Sequence, residues 1–280
     1  MMQFDRVAVV DIGRPGEEGI RIRNNRISFN VVKTDKPDAN SLKVEIFNLS
    51  PETRAQVEST ENRLVLPVGY SQDTIKVLAV GDVTSFYTES NGSGDMITVI
   101  EAGDGIRALT DTRVSISYED GIAALDIVTD IAGSLGVDAV DNLADLTGTY
   151  RNGYTFAGQA KQGLDELAKR FDFDWSIQNG ILQLLPRRTA DEREVVVLSP
   201  ETGLVGSPRP MDDVGANISA NQEEPGIMLT CQLQPRLVPT GVVDVISRDF
   251  NGLYRITEVE HAGDTRSQGW LSTVKARAIE

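Results

Sequence analysis

The chain has 280 residues, one cysteine and a formal net charge of −15, from 27 basic and 42 acidic residues. This length allows two or three compact units, the acidic balance disfavours sequence-specific binding to nucleic acid, and a single cysteine excludes an internal disulfide or a zinc cluster. The chain starts without a basic-then-apolar leader and has no apolar run of membrane-spanning length, so we expect cytosolic folding without a membrane anchor.

Residues 1–103 have the pattern of a β unit. Short runs of alternating or β-branched residues are separated by clusters of Gly, Pro and Asn. Ser50 can cap a helix that starts at Pro51 and ends near Ser59. Regular short strands with polar loops are typical of a barrel or sandwich, which predicts a first β-barrel over residues 1–103. The predicted strands are Phe4–Ile12, Ile20–Arg23, Arg26–Lys33, Lys43–Asn48, Arg63–Tyr70, Thr74–Tyr87 and Asp95–Ala102.

Residues 104–190 change to a mixed α and β pattern. Apolar residues recur at three- and four-residue steps in two stretches, and each predicts an amphipathic helix. Alternating apolar residues around an Asn-Gly turn then predict a hairpin, and a charged run predicts a linker. The elements of this inserted α/β module are a helix from a cap at Asp120 to Gly136, a helix after Thr155 that ends near Phe171, the hairpin Phe173–Leu185, and the linker Arg187–Glu194.

Residues 191–280 end in three predicted strands. Val242–Ser247 and Tyr254–Val259 flank Asn251–Gly252, a strong short-range hairpin signal. A loop from Ala262 to Gly269 then leads to the strand Trp270–Ala276. This pattern predicts a second β unit.

Two features of the first β unit recur in the last. Ile46–Pro51 and Thr230–Pro235 both lead from a strand into an amide residue, a leucine, one further residue and a proline. Strands also flank a Gly-rich loop before Met96 and a similar loop before Trp270. The two matches occur in the same order, which predicts a duplicated β-barrel, at 1–103 and 191–280, with the α/β module between the copies. Chance similarity of strand and turn patterns is the alternative.

Several stretches carry a resemblance to a known family. They are Leu42–Arg54, Thr202–Pro208, Leu233–Gly241, and Tyr254–Thr265 with Trp270. These stretches look like the baseplate hub proteins of contractile-tailed phages, which include the Mu-like hub, the late control D proteins and the T-even hub. The resemblance covers nearly the whole chain and consists of strand and turn patterns without chemistry.

The resemblance implies two tail-tube-like β-barrels in each chain. Three chains would form a ring of six similar barrels, with the six-fold tail tube or its initiator protein on one side and the three-fold central spike on the other. It therefore implies a homotrimer in the virion tail baseplate that contacts other baseplate proteins, with edge strands that pair between chains. The acidic balance suits a lumen through which DNA passes without sticking.

No residue is predicted to be catalytic, to bind a cofactor or to bind a metal. The only histidine, His261, would have to serve any Ser-His-Asp arrangement, with Asp264 as its partner, and the other interpretation is a strand-end histidine bonded to its own loop. Asp172 and Asp174 are either solvated carboxylates or calcium ligands. The remaining candidates are Glu101–Gly105, which lacks the Lys-Ser/Thr ending of a phosphate loop, Glu223–Glu224, interpreted as a loop tip, and Trp175 and Trp270, interpreted as core residues.

Three functions stay open from the sequence. The first is a structural hub without catalysis. The second is a tail-tip cell-wall-degrading enzyme of the glycosidase type, which needs two carboxylates at a suitable separation. The third is a binding module, in which residues 104–190 dock on a tail protein or on peptidoglycan. No stretch combines an acidic pair with the aromatic-rich groove that a sugar polymer needs, so the sequence favours the hub.

Overall fold

A computed structural model describes residues 5–59, 61–71, 75–92, 94–137, 139–142, 146–187, 189–211 and 226–279. Most of these residues lie in strands, and four helices occur among them, so the predicted mainly β fold with an α+β segment is confirmed. Strands from both ends of the chain form one sheet of 14 strands, while the middle segment forms smaller sheets.

The first segment contains the predicted strands and a short helix. The Ser50 hydroxyl caps the helix by accepting a hydrogen bond from the Thr53 amide at 3.1 Å. The predicted strand that starts at Phe4, outside the described residues, is divided in two at Val9. The Val9 amide donates to the Pro67 carbonyl, but Pro67 has no N–H group to complete the pair. The elements are β1 (Arg6–Ala8), β2 (Val10–Gly13), β3 (Ile20–Ile22), β4 (Ile27–Thr34), β5 (Ser41–Phe47), α1 (Pro51–Val57), β6 (Arg63–Tyr70), β7 (Lys76–Ser90) and β8 (Met96–Gly103).

The middle segment contains the two predicted helices and the predicted hairpin. The first helix starts at Ala124 instead of near Asp120, because Ile122 pairs with Tyr150 in a short antiparallel ladder. Thr155 lies in a strand rather than at a helix start. The elements are α2 (Ile106–Asp111), β9 (Arg113–Tyr118), β10 (Ile122–Ala123), α3 (Ala124–Leu135), β11 (Ala139–Asn142), β12 (Thr149–Tyr150), β13 (Tyr154–Gln159), α4 (Ala160–Phe171), β14 (Phe173–Gln178) and β15 (Ile181–Pro186).

The last segment departs from the sequence prediction at its turn. Asn251 and Gly252 lie inside a strand, and the turn precedes them because the Asn251 side chain accepts the Ser247 amide at 3.0 Å. A strand that begins at Asp191 already occupies part of the predicted linker, and Glu223–Glu224 lie outside the described residues. The elements are β16 (Asp191–Leu198), β17 (Leu204–Pro210), β18 (Gly226–Gln232), β19 (Gly241–Ile246), β20 (Asn251–Asp264) and β21 (Trp270–Ala278).

The large sheet follows one path through both β segments. Its strand order is β17-β18-β21-β20-β4-β5-β8-β7-β6-β2-β3, while β1 pairs with β6, and β19 pairs with β16 and β20. Among the described strands, no pairing connects the two ends of this path. The two closed barrels and the domain limits predicted above therefore stay predictions.

Three hydrophobic clusters support this sheet and the middle segment. The members of the first cluster come from residues 8–102, together with Leu233 and Trp270 from the last segment. The second lies within the middle segment, and the third lies between strands of the last segment. Trp270 packs edge-on against Phe29, with 5.3 Å between ring centres, so the two β segments share part of one core.

Candidate assembly interface: the continuous sheet

Strand β20 joins the first and last β segments. It pairs with β21 along one edge, and on the other edge its first half pairs with β19. Its second half, Glu258–Asp264, pairs with β4 in an antiparallel ladder. The change of partner coincides with a bulge at Thr257, whose carbonyl accepts the Asp35 amide at 3.0 Å. Bulges bend a strand and increase its twist, which lets one strand serve two neighbours.

The hairpin β7–β8 repeats the hairpin β20–β21 residue by residue. In each, six residue pairs separate the hairpin loop from a bulge of one residue. The bulged residues are Thr84 and Thr257, and each hydroxyl donates to a carbonyl of the opposing strand at 3.2 Å. A single register therefore describes both hairpins.

The repeat extends to the neighbouring strands. The strand orders β4-β5-β8-β7 and β17-β18-β21-β20 correspond, with antiparallel pairing throughout. Phe47 pairs with Ile97 as Gln232 pairs with Leu271. This register aligns Phe47 with Gln232, one residue away from the match of Ile46–Pro51 with Thr230–Pro235 inferred from the sequence.

Two strand edges lack, among the described strands, the partner that the equivalent edge has in the other half of the repeat. The second half of β20 has β4 beside it, whereas the equivalent part of β7, Thr84–Ser90, pairs among the described strands with β8 alone. Strand β17, the equivalent of β4, pairs there with β18 alone. Unpaired backbone groups on such edges are templates for pairing with another chain.

The face of this sheet that points away from the core carries charged side chains. It carries two ion pairs, Lys43 with Glu45 at 3.1 Å and Lys275 with Glu258 at 2.8 Å. Glu260 on the same face accepts a hydrogen bond from the Asn30 side chain at 2.6 Å. Glu101 adds a further carboxylate, and Arg255 and Arg277, a directly opposed pair, add two guanidinium groups on the same side of β20 and β21. The face is therefore hydrated and carries charges of both signs.

A buried polar joint fixes the middle segment to this sheet. The Lys33 ammonium group donates to the Asn179 side chain at 3.0 Å, and the Asp104 carboxylate accepts the Gly180 amide at 3.1 Å. The Asn40 side chain donates to the Ile177 carbonyl at 3.0 Å. Burial lowers the pKa of Lys33 to about 8 and raises that of Asp104 to about 6, although each charge partly offsets the effect on the other. The turn Asn179–Gly180 thus docks into the first β segment.

The candidate pairing of His261 with Asp264, which any Ser-His-Asp arrangement would need, does not occur. His261 lies inside β20, fully buried, and its Nδ1 is 2.8 Å from the Ser272 hydroxyl of the adjacent strand, not from its own loop. Asp264 instead accepts a hydrogen bond from Arg26 at 2.7 Å. Burial, with a smaller contribution from the charge of Lys33, lowers the pKa of His261 to about 3, so the ring is neutral. A buried neutral ring that hydrogen-bonds a buried serine has a packing role.

Two other sequence candidates, Asp172 and Asp174, share one arginine. Asp172 ends α4 in the left-handed conformation, and it and Asp174 both contact Arg187, at 3.4 and 3.6 Å. Trp175 is buried, as predicted, and its ring N–H donates to Asp165. Within the described ranges, no group of three or more His, Cys, Asp or Glu side chains could hold a metal ion. No helix in that part of the chain is long and apolar enough to cross a membrane.

Sequence reasoning missed the joint, although β4 carried a signal for it. Ile27, Phe29 and Val31 point inward, so strict alternation places Lys33 on the same buried side. A lysine at an inward position requires a polar partner. Its partners Asn179 and Asp104 lie far away in the chain, which is why local patterns do not reveal them.

No protein-family model matches the sequence, and neither does any curated protein. Solved structures match over nearly the full length. The 43 kDa tail protein of prophage MuSo2 from Shewanella oneidensis has a TM-score of 0.69 and 11% identity, covering 98% of both chains. A tail protein of Neisseria meningitidis has a TM-score of 0.64 and 12% identity, covering 96% of both.

A third similar structure comes from a secretion system. It is an Escherichia coli component of the type VI secretion system, itself similar to T4 bacteriophage tail proteins, with a TM-score of 0.63 and 12% identity over 96% of this chain and 77% of that one. The chain therefore shares its fold with these tail and secretion-system proteins.

Proposed function

We propose that this chain is a structural baseplate hub of a contractile tail or related injection machine. Three copies form a ring with pseudo-six-fold symmetry, which joins the tail tube or its initiator protein to the central spike and contacts other baseplate proteins. The units of the ring are residues 1–103 and 191–280, each a tube-like β-barrel, and residues 104–190 form the inserted module. The protein then resides in the virion tail.

The observation that carries this proposal is the internal repeat. Two four-strand units with one register and one bulge position lie side by side in a single sheet, joined through β20 and β4. A trimer of such chains presents six similar units in a closed ring, which matches a six-fold neighbour on one side and a three-fold neighbour on the other. The fold likeness to tail proteins of prophages supports the same assignment.

The acidic balance of the chain, with a net charge of −15, supports a lumen. Lining a channel with carboxylates such as Glu101 and Glu260 keeps DNA from adhering during passage, because like charges repel. We propose a role without catalysis, since the single histidine is buried and hydrogen-bonded to Ser272.

The native mass of the purified chain tests the proposal. Light scattering or native mass spectrometry over a concentration series is expected to give a species of three times the 30.5 kDa chain mass. A monomer at every concentration would contradict the ring. In that case, hydrolysis of purified cell wall by the free protein would favour the glycosidase alternative, and wall binding without hydrolysis would favour the docking module.

A further inference from the structure

We infer that the ring closes by pairing β7 of one copy with β17 of the next, antiparallel, with Glu89 opposite Arg209. This inference rests on the proposed trimer and adds the interface that forms it. The occupant of each of these two edges, which have no partner among the described strands, is a second copy of the same chain.

The register follows from the junction inside one chain. There β20 pairs with β4 so that Ala262 lies opposite Asn30. In the repeat, Glu89 is equivalent to Ala262, because each is the second pair from its hairpin loop. Arg209 is equivalent to Asn30, since Arg209 pairs with Met228 as Asn30 pairs with Lys43. When β7 of one copy and β17 of the next pair in the register that β20 and β4 have within one chain, Glu89 lies opposite Arg209.

The side chains at this position are complementary. Glu89 and Arg209 are both exposed in the single chain. Opposite charges directly across an antiparallel pair stabilise it, and like charges destabilise it. At the equivalent position of the β20–β4 junction within one chain, the paired residues are Ala262 and Asn30, which carry no charge. The charged pair is therefore specific to the β7 and β17 edges.

A proline makes the pairing directional. The Met211 amide donates to the Gly226 carbonyl, so alternation of the ladder directs the backbone of Pro210 outward. Pro210 has no N–H group, and the outer edge of β17 there offers only a carbonyl. Two β17 edges cannot exchange hydrogen bonds at this position, whereas amides of β7 can donate to it. Head-to-tail pairing of unlike edges closes a ring, whereas self-pairing would give a two-fold dimer.

Disulfide cross-linking between copies tests this interface. Residues directly opposite in a non-hydrogen-bonded antiparallel pair have Cα atoms about 4.5 Å apart, which lies within the range of a disulfide. The double variant Glu89→Cys with Arg209→Cys, oxidised in the full chain, is expected to give covalent trimers on non-reducing gels. Each single variant is the control, and the natural Cys231 is buried.

Charge exchange is the second measurement. Glu89→Arg alone and Arg209→Glu alone are expected to weaken each interface of the ring by roughly two- to five-fold in its dissociation constant, and the double reversal is expected to restore it. The native mass could show a trimer while the double-cysteine variant forms no cross-links and charge reversal has no effect. This result would overturn the interface but not the proposed hub. A strict monomer without cross-links would overturn both. Cross-linking of a single variant would instead indicate self-pairing and overturn the interface.

Discussion

Thr84 and Thr257 occupy the same position in the two halves of the sheet. Each is the extra residue of a bulge, and each hydroxyl donates to the carbonyl opposite, of Glu101 and Lys275 respectively, at 3.2 Å. At Thr257 the strand changes its neighbour from β19 to β4, and at Thr84 it leaves β6. The bulge therefore marks, in β20, the start of the pairing with β4 and, in β7, the start of the part that pairs with β8 alone among the described strands.

Replacing these threonines by valine tests the role of the two hydrogen bonds. Thr257→Val is expected to lower the free energy of unfolding by about 1 kcal/mol, because its hydrogen bond is partly buried. Thr84→Val is expected to cost less, since water replaces the bond at an exposed site. Urea denaturation of both variants measures the difference, and an equal loss at both positions would contradict the assigned difference in burial.

The titration of His261 tests its burial. The folded pKa is about 3, below the ordinary value of 6.5. The stability that neutral His261 contributes is therefore complete above pH 6.5 and is lost as the pH falls toward 3. The chain has one histidine, so its ring protons give a single set of NMR signals. These signals are expected to stay fixed between pH 8 and 5, and a midpoint near 6.5 would place the ring in solvent.

The pH dependence of stability tests the buried carboxyl group of Asp104. Its folded pKa of about 6 lies above the ordinary 3.8, so the protonated group stabilises the fold fully below 3.8 and that stability is lost as the pH rises through 6. Wild type is thus expected to gain stability relative to Asp104→Asn on going from pH 7.5 to 4.5, as measured by urea unfolding. As a control for the titration of Lys33, Asp104 and Asp104→Asn are compared at the same two pH values in chains that also carry Lys33→Met. If the Asp104 chain lost stability relative to Asp104→Asn at the lower pH there, the raised pKa of Asp104 would be refuted.

The joint between the middle segment and the sheet is tested by two contrasting variants. Asn40→Ala removes hydrogen bonds to Ile177 and Gln178 at a buried site and is expected to cost about 1–3 kcal/mol of stability. Lys161→Ala removes an exposed ion pair with Asp38 across the same contact and is expected to cost less than about 1 kcal/mol. Thermal or urea unfolding compares them, and similar losses would mean that the joint is not held by its buried part.

Most individual elements could be predicted because their signals are local. Strand β6 has the predicted limits Arg63–Tyr70, and Ser50 with Pro51 fixes the start of α1 through one side-chain hydrogen bond. The turn at Asn251–Gly252 was wrong because the Asn251 side chain closes the preceding loop, which sequence statistics cannot distinguish from a turn at Asn-Gly itself. The candidate pair His261 and Asp264 failed because residues three apart in one strand point to opposite faces of the sheet.

The sequence by itself determined most strands of the two β segments, the helices α1, α3 and α4, the hairpin β14–β15 and the existence of a repeat, because alternation, capping and turn residues act over a few positions. Helix α2 and strands β9–β13 were not predicted. Only the tertiary structure decided that β20 pairs with β4, that Lys33 meets Asn179, and which edges have no partner among the described strands. These contacts join residues more than a hundred positions apart. Their choice depends on which register buries all the inward side chains of both strands at once, and no local pattern contains that information.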